Sequence, residues 1–560
     1  MRAKLRKEMI KQYFLLFILG FLASCNNSDS NNVSFGASTD PLLELIKGKN
    51  VRQHMLILAS DEMKGREAGT DNYDNAADYV IQNFKNYGLK ALGDDSTFTQ
   101  SIRFLESRLD VETAKFSLHK DNTKIDLIFR DDFIRSGGFG DISEEISAPM
   151  VFVGYGIVAP EYNHDDFAGI EVTNKILVML SGAPPGFSTD QRAFYSSSRG
   201  KAQVAISRGA VGIITLRTPV DQKRRPWARY LPGVGSPGMR WLDNDNQPFQ
   251  GHQELKGTAT ISQSGAEKIF GLSGYDLEKI FSCHKEGGIN SFEMGISATL
   301  SRSSIQREVT SANVIGYVEG SDPELSNQYL IYTAHLDHIG IREGKEGDDI
   351  HNGAYDNAAG IGSILEIADS ISAMNPAPRR SIIFAAVTAE EKGLQGSSYF
   401  VKNPTIPIEN LVANINIDMP YLGFPVADFH AFGAEHSSLY DAVEKASGYI
   451  GMQFTPDPLP EEVRFVRSDQ FSFVKEGIPA IALKAGTISS DPNIDGSKEL
   501  DNFLKNHYHQ SSDDLDLPFS VEGTEGFVRT ALLLGLVVAD EDEKPTWNKG
   551  DFFGDKFTPK

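Results

Sequence analysis

Cysteine is nearly missing from this chain. Only Cys25 and Cys283 occur in 560 residues, too few for a disulfide framework. Positive charge is also in deficit. Fifty-four Lys and Arg stand against 76 Asp and Glu, a formal net charge of −22. Nucleic-acid binding needs a basic footprint, so that class is excluded as a main role. Electrostatic docking to anionic lipid is disfavoured for the same reason. Long apolar runs are absent too. YFLLFILGFLA (13–23) and FVRTALLLGLVVA (527–539) both fall short of the roughly 20 residues a spanning helix needs, and the second reads as a core helix. No Gly-x-Ser-x-Gly elbow and no Walker loop is present, which removes the main serine-hydrolase and nucleotide-hydrolase classes. Two glycine clusters imitate a dinucleotide fingerprint. Gly154-Tyr-Gly156 runs into Pro160 and an acidic turn, and Gly233-Val-Gly235-Ser-Pro-Gly238 lacks a preceding strand. Both read as turns.

What is present is ordinary for a globular enzyme: 40% hydrophobic and 23% charged residues, with length enough for two to four domains. The N-terminus is patterned differently. A basic stretch, MRAKLRKEMIKQ, precedes the short apolar run and then Leu22-Ala23-Ser24-Cys25. This resembles a bacterial lipoprotein signal with its lipobox. The resemblance implies cleavage before Cys25, a lipid on that residue, and a cell-envelope location facing the periplasm or on the outer membrane. NNSDSNNVSFGAS (26–38) is a polar tether. After lipidation only Cys283 would remain as a thiol.

Five segments of the C-terminal half carry metal-type side chains: His335 in AHLDHIG, Asp356 in NGAYDNAAG, Glu390-Glu391 in FAAVTAEEKG, Asp418 in ININIDMPY and His509 in HYHQSSDD. Zinc takes His nitrogen and carboxylate oxygen and needs about three to four protein ligands around an open position in a hydrolytic site. A two-metal site also needs a carboxylate between the ions. YLIYTA (329–334), SIIFAAVTA (381–389) and LVANINID (411–418) read as buried strands, each ending at a candidate ligand. Open α/β sheets place their sites at such carboxyl ends. Asp356 precedes a helical pattern, AAGIGSILEIADSISAM, whose first N–H groups favour a carboxylate. Asp337 is spaced to accept the other ring N–H of His335. Of the adjacent glutamates, one can bind metal while its neighbour faces a substrate water as general base. His338 reads as structural, and His507 is a rival to His509.

Together these motifs resemble metallopeptidase family 28, the co-catalytic zinc aminopeptidases. The resemblance implies a mixed, mostly parallel α/β sheet with helices on both faces. It implies His335, Asp356 and Asp418 on one zinc, Asp356, Glu391 and His509 on the other, Glu390 as general base, and Asp337 as a catalytic residue behind His335. Cobalt or manganese suit the same donors. LASDEMKGREAGTDNYDNAADYVIQNFKNYGLK (58–90) matches the family's opening segment, and RSDQFSFVKEGIPAIAL (467–483) a later one. Gln470 stands where many members carry His, and Tyr355 where many carry Asp.

Between the opening segment and the first zinc motif the chain holds strand–helix–strand patterns of its own, ISAPMVFVGYGIVA, NKILVML and KAQVAISRGAVGIITL. These resemble a protease-associated domain, a smaller α/β unit that interrupts this family. The expected division is signal peptide 1–24, tether 25–40, peptidase N-terminal part 41–131, insert 132–303, catalytic part 304–541 and C-terminal tail 542–560. The insert is expected to supply no metal ligand, its His164 and His252 lying in polar turns. KRRPWARY (223–230) reads as a solvated loop, with the lining of a substrate cleft as the alternative. The expected activity is aminopeptidase hydrolysis of peptides. Carboxypeptidase action, for which Arg464 and Arg467 lie in a plausible segment, and a non-catalytic receptor on the same scaffold are the alternatives. The oligomeric state is left open.

Overall fold

The computed structural model describes residues 39–286, 290–342 and 347–558. Cys25, the signal segment and most of the tether lie outside the described residues. Among the described residues no helix is long and apolar enough to cross a membrane. Residues Thr39–Leu43 form a short helix. All that follows concerns residues 44–560.

One mixed sheet of 16 strands runs through the chain. It consists of two parallel blocks joined by an antiparallel seam. The first block sets Ile176–Leu180, Gly212–Leu216 and Gly257–Ile261 parallel to Ser143–Phe152. The second sets Ser381–Val387, Tyr329–His335, Leu411–Ile417 and Ala480–Ala485 side by side, again parallel. The seam is the strand Phe292–Val318. Its first part pairs antiparallel with Ser143–Phe152 and its last residues pair with Ser381–Val387. Thr99–Lys120 lies antiparallel along most of its length. The fold is therefore mixed α/β, with the parallel strands in the majority at both ends.

The second block explains its own sequence. Tyr329–His335, Ser381–Val387 and Leu411–Ile417 are buried almost throughout, as parallel strands covered on both faces must be. The helices Ala359–Ser372 and Val521–Asp540 cover one side, and both are buried over most of their length. FVRTALLLGLVVA is thus a core helix. The polar residues in these strands are paired. Thr333 donates to Asn416 at 2.7 Å, Asn414 donates to the Ile331 carbonyl at 3.2 Å, and Asn416 donates to Ser468 and Gln470 at 2.9 and 3.0 Å. Gln470 is therefore fully buried beneath the site.

The register sets the site. His335 pairs with Val387, and Thr333 with Asn416. Three neighbouring parallel strands thus end at one level, and the residues that follow them emerge together.

The 132–303 region supplies most of an apolar core, with side chains such as Phe152, Ile176, Ile214, Ile269 and Met294, and shares it with Phe116, Leu118 and Leu127 of the preceding segment. The sheet nonetheless passes from it to the second block without a break, through Phe292–Val318. Gly154 and Gly156 have φ of 50° and 69°. The Asp166 carboxylate accepts from the N–H groups of Tyr155 and Ile157 at 3.0 and 2.9 Å, so Gly154-Tyr-Gly156 is a turn. Residues beyond 541 also pack. Phe553 is buried against Phe465 and His436, and Phe552 meets Phe194 of the Thr189–Tyr195 helix.

Candidate metal centre

His335 ends its strand and is 1% exposed. Its Nε2 lies 3.1 Å from Asp356 Oδ1 and 3.2 Å from Asp418 Oδ1. The other oxygen of Asp356, Oδ2, lies 3.2 Å from His509 Nε2, which is 3.2 Å from Glu391 Oε1. Asp356 thus turns one oxygen to each of two donor groups. Glu391 Oε1 is also 3.0 Å from His338 Nδ1. Two sets of side chains present donor atoms close enough to share an ion: His335, Asp356 and Asp418, and His338, Asp356 and Glu391. His509 stands at the open side of the second set, with its side chain 36% exposed. His507 points elsewhere, with Nδ1 3.0 Å from the Ser512 hydroxyl. A structural role is what the sequence leads one to expect for His338. The structure places it fully buried inside the cluster.

The residues present fit a hard or borderline cation held by nitrogen and oxygen. Zinc bonds of about 2.0–2.2 Å in a tetrahedral shell put neighbouring donor atoms about 3.3–3.6 Å apart, close to the spacings here. Four carboxylates gathered this tightly repel one another unless cations lie among them. Glu391 Oε1 and both ring nitrogens of His338 are buried without a well-formed hydrogen bond.

The charges respond to this crowding. Burial favours the neutral forms of His335 and His509, yet the carboxylates beside them outweigh it and hold both imidazoles well above their ordinary pKa. Burial likewise disfavours the charged Asp356, but His335 and His509 keep it well below the carboxylate range. Glu390 goes the other way. Burial comes first, and the negative Glu391, Asp418 and Asp469 add to it against the pull of His335. Its carboxyl is pushed well above the ordinary value. Two adjacent glutamates therefore sit in opposite environments, the pattern that separates an acid–base group from a ligand.

Asp337 corrects an expectation. Its backbone carbonyl, not its carboxylate, lies 3.0 Å from His335 Nδ1. The carboxylate instead accepts from the backbone N–H of Glu390 at 3.0 Å and of Glu391 at 3.2 Å. The reason is directional. Asp337 is two residues past the strand end, and the turn at 389–391 presents two N–H groups to it with no other acceptor. Asp337 thus positions both glutamates.

Several supports were not singled out from sequence. Asp513 accepts from the N–H groups of Tyr355 and Asp356 at 2.9 and 3.0 Å. Burial pushes its carboxyl up to about 7 despite those bonds. The HYHQSSDD motif that yielded His509 contained this residue, and its spacing from Asp356 carried no signal. Lys484 lies 3.5 Å from Asp418 Oδ2 and also donates to the Asp418 carbonyl. Gly353, with φ of 62°, turns the loop into the site. A Cβ there would meet the His338 ring at 2.6 Å. Arg66 of GREAGT is 1% exposed. It donates to the carbonyls of Leu336 at 2.9 Å, Asn352 at 2.6 Å and Gly353 at 3.0 Å, and also to that of Leu58. It ties the opening segment to the loops that carry His338 and Asp356. Arg66→Met will strand these carbonyls. The expected loss is more than about 3 kcal/mol of stability, since each unsatisfied buried group costs about 1–3 kcal/mol. Urea unfolding checks this, and an unchanged midpoint would refute the pinning role.

A cleft of about 2030 Å³ opens on the centre and is lined by Asp356, Glu390, Glu391, Asp418, Tyr508 and His509. Its lining also includes Arg224, Arg225, Arg229 and Tyr230. KRRPWARY is therefore cleft wall and not merely a solvated loop. The segment is fastened there: Arg217 and Arg225 stack on the Tyr230 ring at 4.5 and 4.3 Å, and Trp227 donates to the Arg130 carbonyl at 2.7 Å. Neither His164 nor His252 belongs to a metal-capable group among the described residues. His164 pairs with Asp166 at 3.1 Å.

The model of "Peptidase family M28" matches residues 313–531, the stretch that bears every one of these donors. Residues 313–531 are thus a peptidase family M28 domain. Aminopeptidase NAALADL1 of Mus musculus is 35% identical over 116 residues, which is 20% of this chain and 14% of that protein. Leupeptin-inactivating enzyme 1 of Streptomyces exfoliatus is 27% identical over 239 residues, 41% of this chain and 48% of that protein. The chain thus spans less than half the length of these curated relatives. An aminopeptidase from Aneurinibacillus sp. strain AM-1 shares the fold at a TM-score of 0.54 and 17% identity, over 90% of this chain and 97% of that one. The M28 match and this likeness agree with the mixed α/β architecture described above.

Proposed function

We propose that the protein is a zinc-dependent exopeptidase, acting as an aminopeptidase on peptides. The observation that carries this reading is Asp356, whose two oxygens face separate His–carboxylate groups beside the raised carboxyl of Glu390. His335, Asp356 and Asp418 would hold one ion, and Asp356, Glu391 and His509 the other. Zinc bound there supplies Lewis acidity toward water and the scissile carbonyl. Glu390 accepts the proton of the attacking water and returns it to the leaving amine as the C–O bond forms and the C–N bond breaks. Asp337 holds Glu390 and Glu391 in register through their backbone N–H groups. Relatives named as aminopeptidases support removal of amino-terminal residues. The complete donor set argues against a receptor that has lost its chemistry.

The test is turnover of aminoacyl and peptidyl amides before chelation, after it, and after zinc is restored, together with metal analysis. About two ions per chain are expected for a two-metal site. Absence of turnover and of metal after zinc loading would refute the reading. Carboxypeptidase action is the second reading. It rests on Arg467, which lines the cleft and forms no ion pair among the described residues. Arg464 is already engaged by Asp457 and stacked on Phe432. Blocking the amino end of a peptide stops an aminopeptidase, and amidating its carboxyl end stops a carboxypeptidase.

Asp513 gives a sharper check on the site. Asp513→Asn replaces one acceptor oxygen by an NH₂ facing the N–H groups of Tyr355 and Asp356, so Asp356 will be displaced. Loss of such an outer partner costs about 10–100-fold in metal affinity. Competition with a chromogenic chelator measures it, and wild-type affinity would show that Asp513 does not orient Asp356.

The remaining assignments follow from sequence patterns. The 132–303 region is a protease-associated-like insert that shapes access to the cleft. Cys25 carries a lipid that anchors the chain in the cell envelope. Cys25→Ser should abolish lipid labelling and membrane retention, and unchanged retention would assign the tether elsewhere.

A further inference from the structure

The cleft is charged opposite to the molecule. The chain carries a net charge of −22. The cleft wall carries twelve Lys or Arg residues against five Asp or Glu outside Asp356, Glu390, Glu391 and Asp418. Part of this excess is used internally: Arg307 pairs with Glu106 at 2.6 Å, and Lys392 with Glu67 at 2.6 Å. Arg224, Arg229 and Arg467 remain exposed and, among the described residues, without an ion-pair partner. The unpaired arginines come from two separate parts of the chain, the fastened 223–230 segment and the loop before Ser468. Both face the cleft that holds the metal centre.

We propose that this cleft selects peptides bearing carboxylates beyond the residue being removed, with Arg224, Arg229 and Arg467 as the docking groups. The inference rests on the peptidase reading and names its substrate class. Guanidinium suits the task, because its fork donates two parallel N–H bonds to one carboxylate and stays charged at any working pH. Low-dielectric walls of one sign also focus the field and raise the local concentration of an oppositely charged substrate. Acidic side chains and a short peptide's C-terminal carboxylate share this chemistry.

The test uses the zinc-loaded full chain and a pair of peptides, Leu-Ala-Glu-Glu-Ala and Leu-Ala-Gln-Gln-Ala, each as free acid and as amide. At low salt the Glu peptide should exceed the Gln peptide in kcat/KM by about tenfold, as several screened charge pairs can produce. The advantage should shrink at high salt, since the Debye length falls from about 10 Å at 0.1 M to about 3 Å at 1 M. An advantage that survives amidation assigns the effect to acidic side chains. A gain of free acid over amide in both sequences assigns docking to the C-terminal carboxylate. In Arg224→Glu/Arg229→Glu, the acidic-to-neutral ratio should fall below one. Equal kcat/KM for all four peptides with no salt dependence would overturn the proposal, and so would an unchanged ratio in the variant. Binding provides an independent readout: calorimetry of the Glu peptide against Glu390→Gln should give a Kd about tenfold below that of the Gln peptide. If wild type cleaves neither these peptides nor leucine anilide, the peptidase reading fails, while the binding comparison still decides the charge preference.

Discussion

Glu390→Gln should purify with its metal and lose turnover by about 10²–10⁴-fold, the usual contribution of a general base. The amide is nearly the same size as the carboxylate, and Glu390 receives no direct approach from the histidines that mark the donor groups. Its backbone N–H bond to Asp337 is untouched by the change. The structure gives Glu390 the one strongly raised carboxyl among the paired glutamates, because burial and three neighbouring acids oppose its charge. A raised carboxyl is the better proton acceptor and carrier near neutral pH. Steady-state kinetics with metal analysis on the same sample decides it. Near wild-type turnover would move the base elsewhere, and loss of metal would make Glu390 a ligand.

Asp356→Ala should have the larger structural consequence, with the bound metal falling toward none and activity lost with it. Each neighbouring ligand serves one donor group, whereas Asp356 gives one oxygen to His335 and the other to His509. Its removal also leaves His335 and Asp418 without their third member. By contrast, Asp418→Ala leaves His509, Glu391 and Asp356 together, so about half the metal should remain by the two-site scheme. Elemental analysis of both variants, with circular dichroism to confirm folding, separates the cases. Equal metal loss in the two would mean that the sites are not linked through Asp356 in the way their geometry suggests.

These roles were legible to different degrees. Strand ends were easy to read, because YLIYTA, SIIFAAVTA and LVANINID are continuous buried runs followed at once by a charged group. Arg66 and Asp513 were not, although they lie in GREAGT and HYHQSSDD. Their function depends on carbonyls and N–H groups contributed by distant residues, and nothing in local composition records such partners. KRRPWARY left two readings open for a related reason. A charge run is solvated by default, and only the folded chain shows Arg224, Arg225 and Arg229 lining the cleft.

By itself, the sequence determined the donor types, their order along the chain and their attachment to strand ends, because zinc chemistry and parallel-strand burial each leave a local mark. Only the tertiary structure decided which oxygen of Asp356 meets which histidine, that the Asp337 carboxylate holds glutamate backbones and not an imidazole, and that basic residues line the same cleft as the donors. Those outcomes turn on side-chain direction and on contacts between segments separated in sequence, which one-dimensional spacing does not encode.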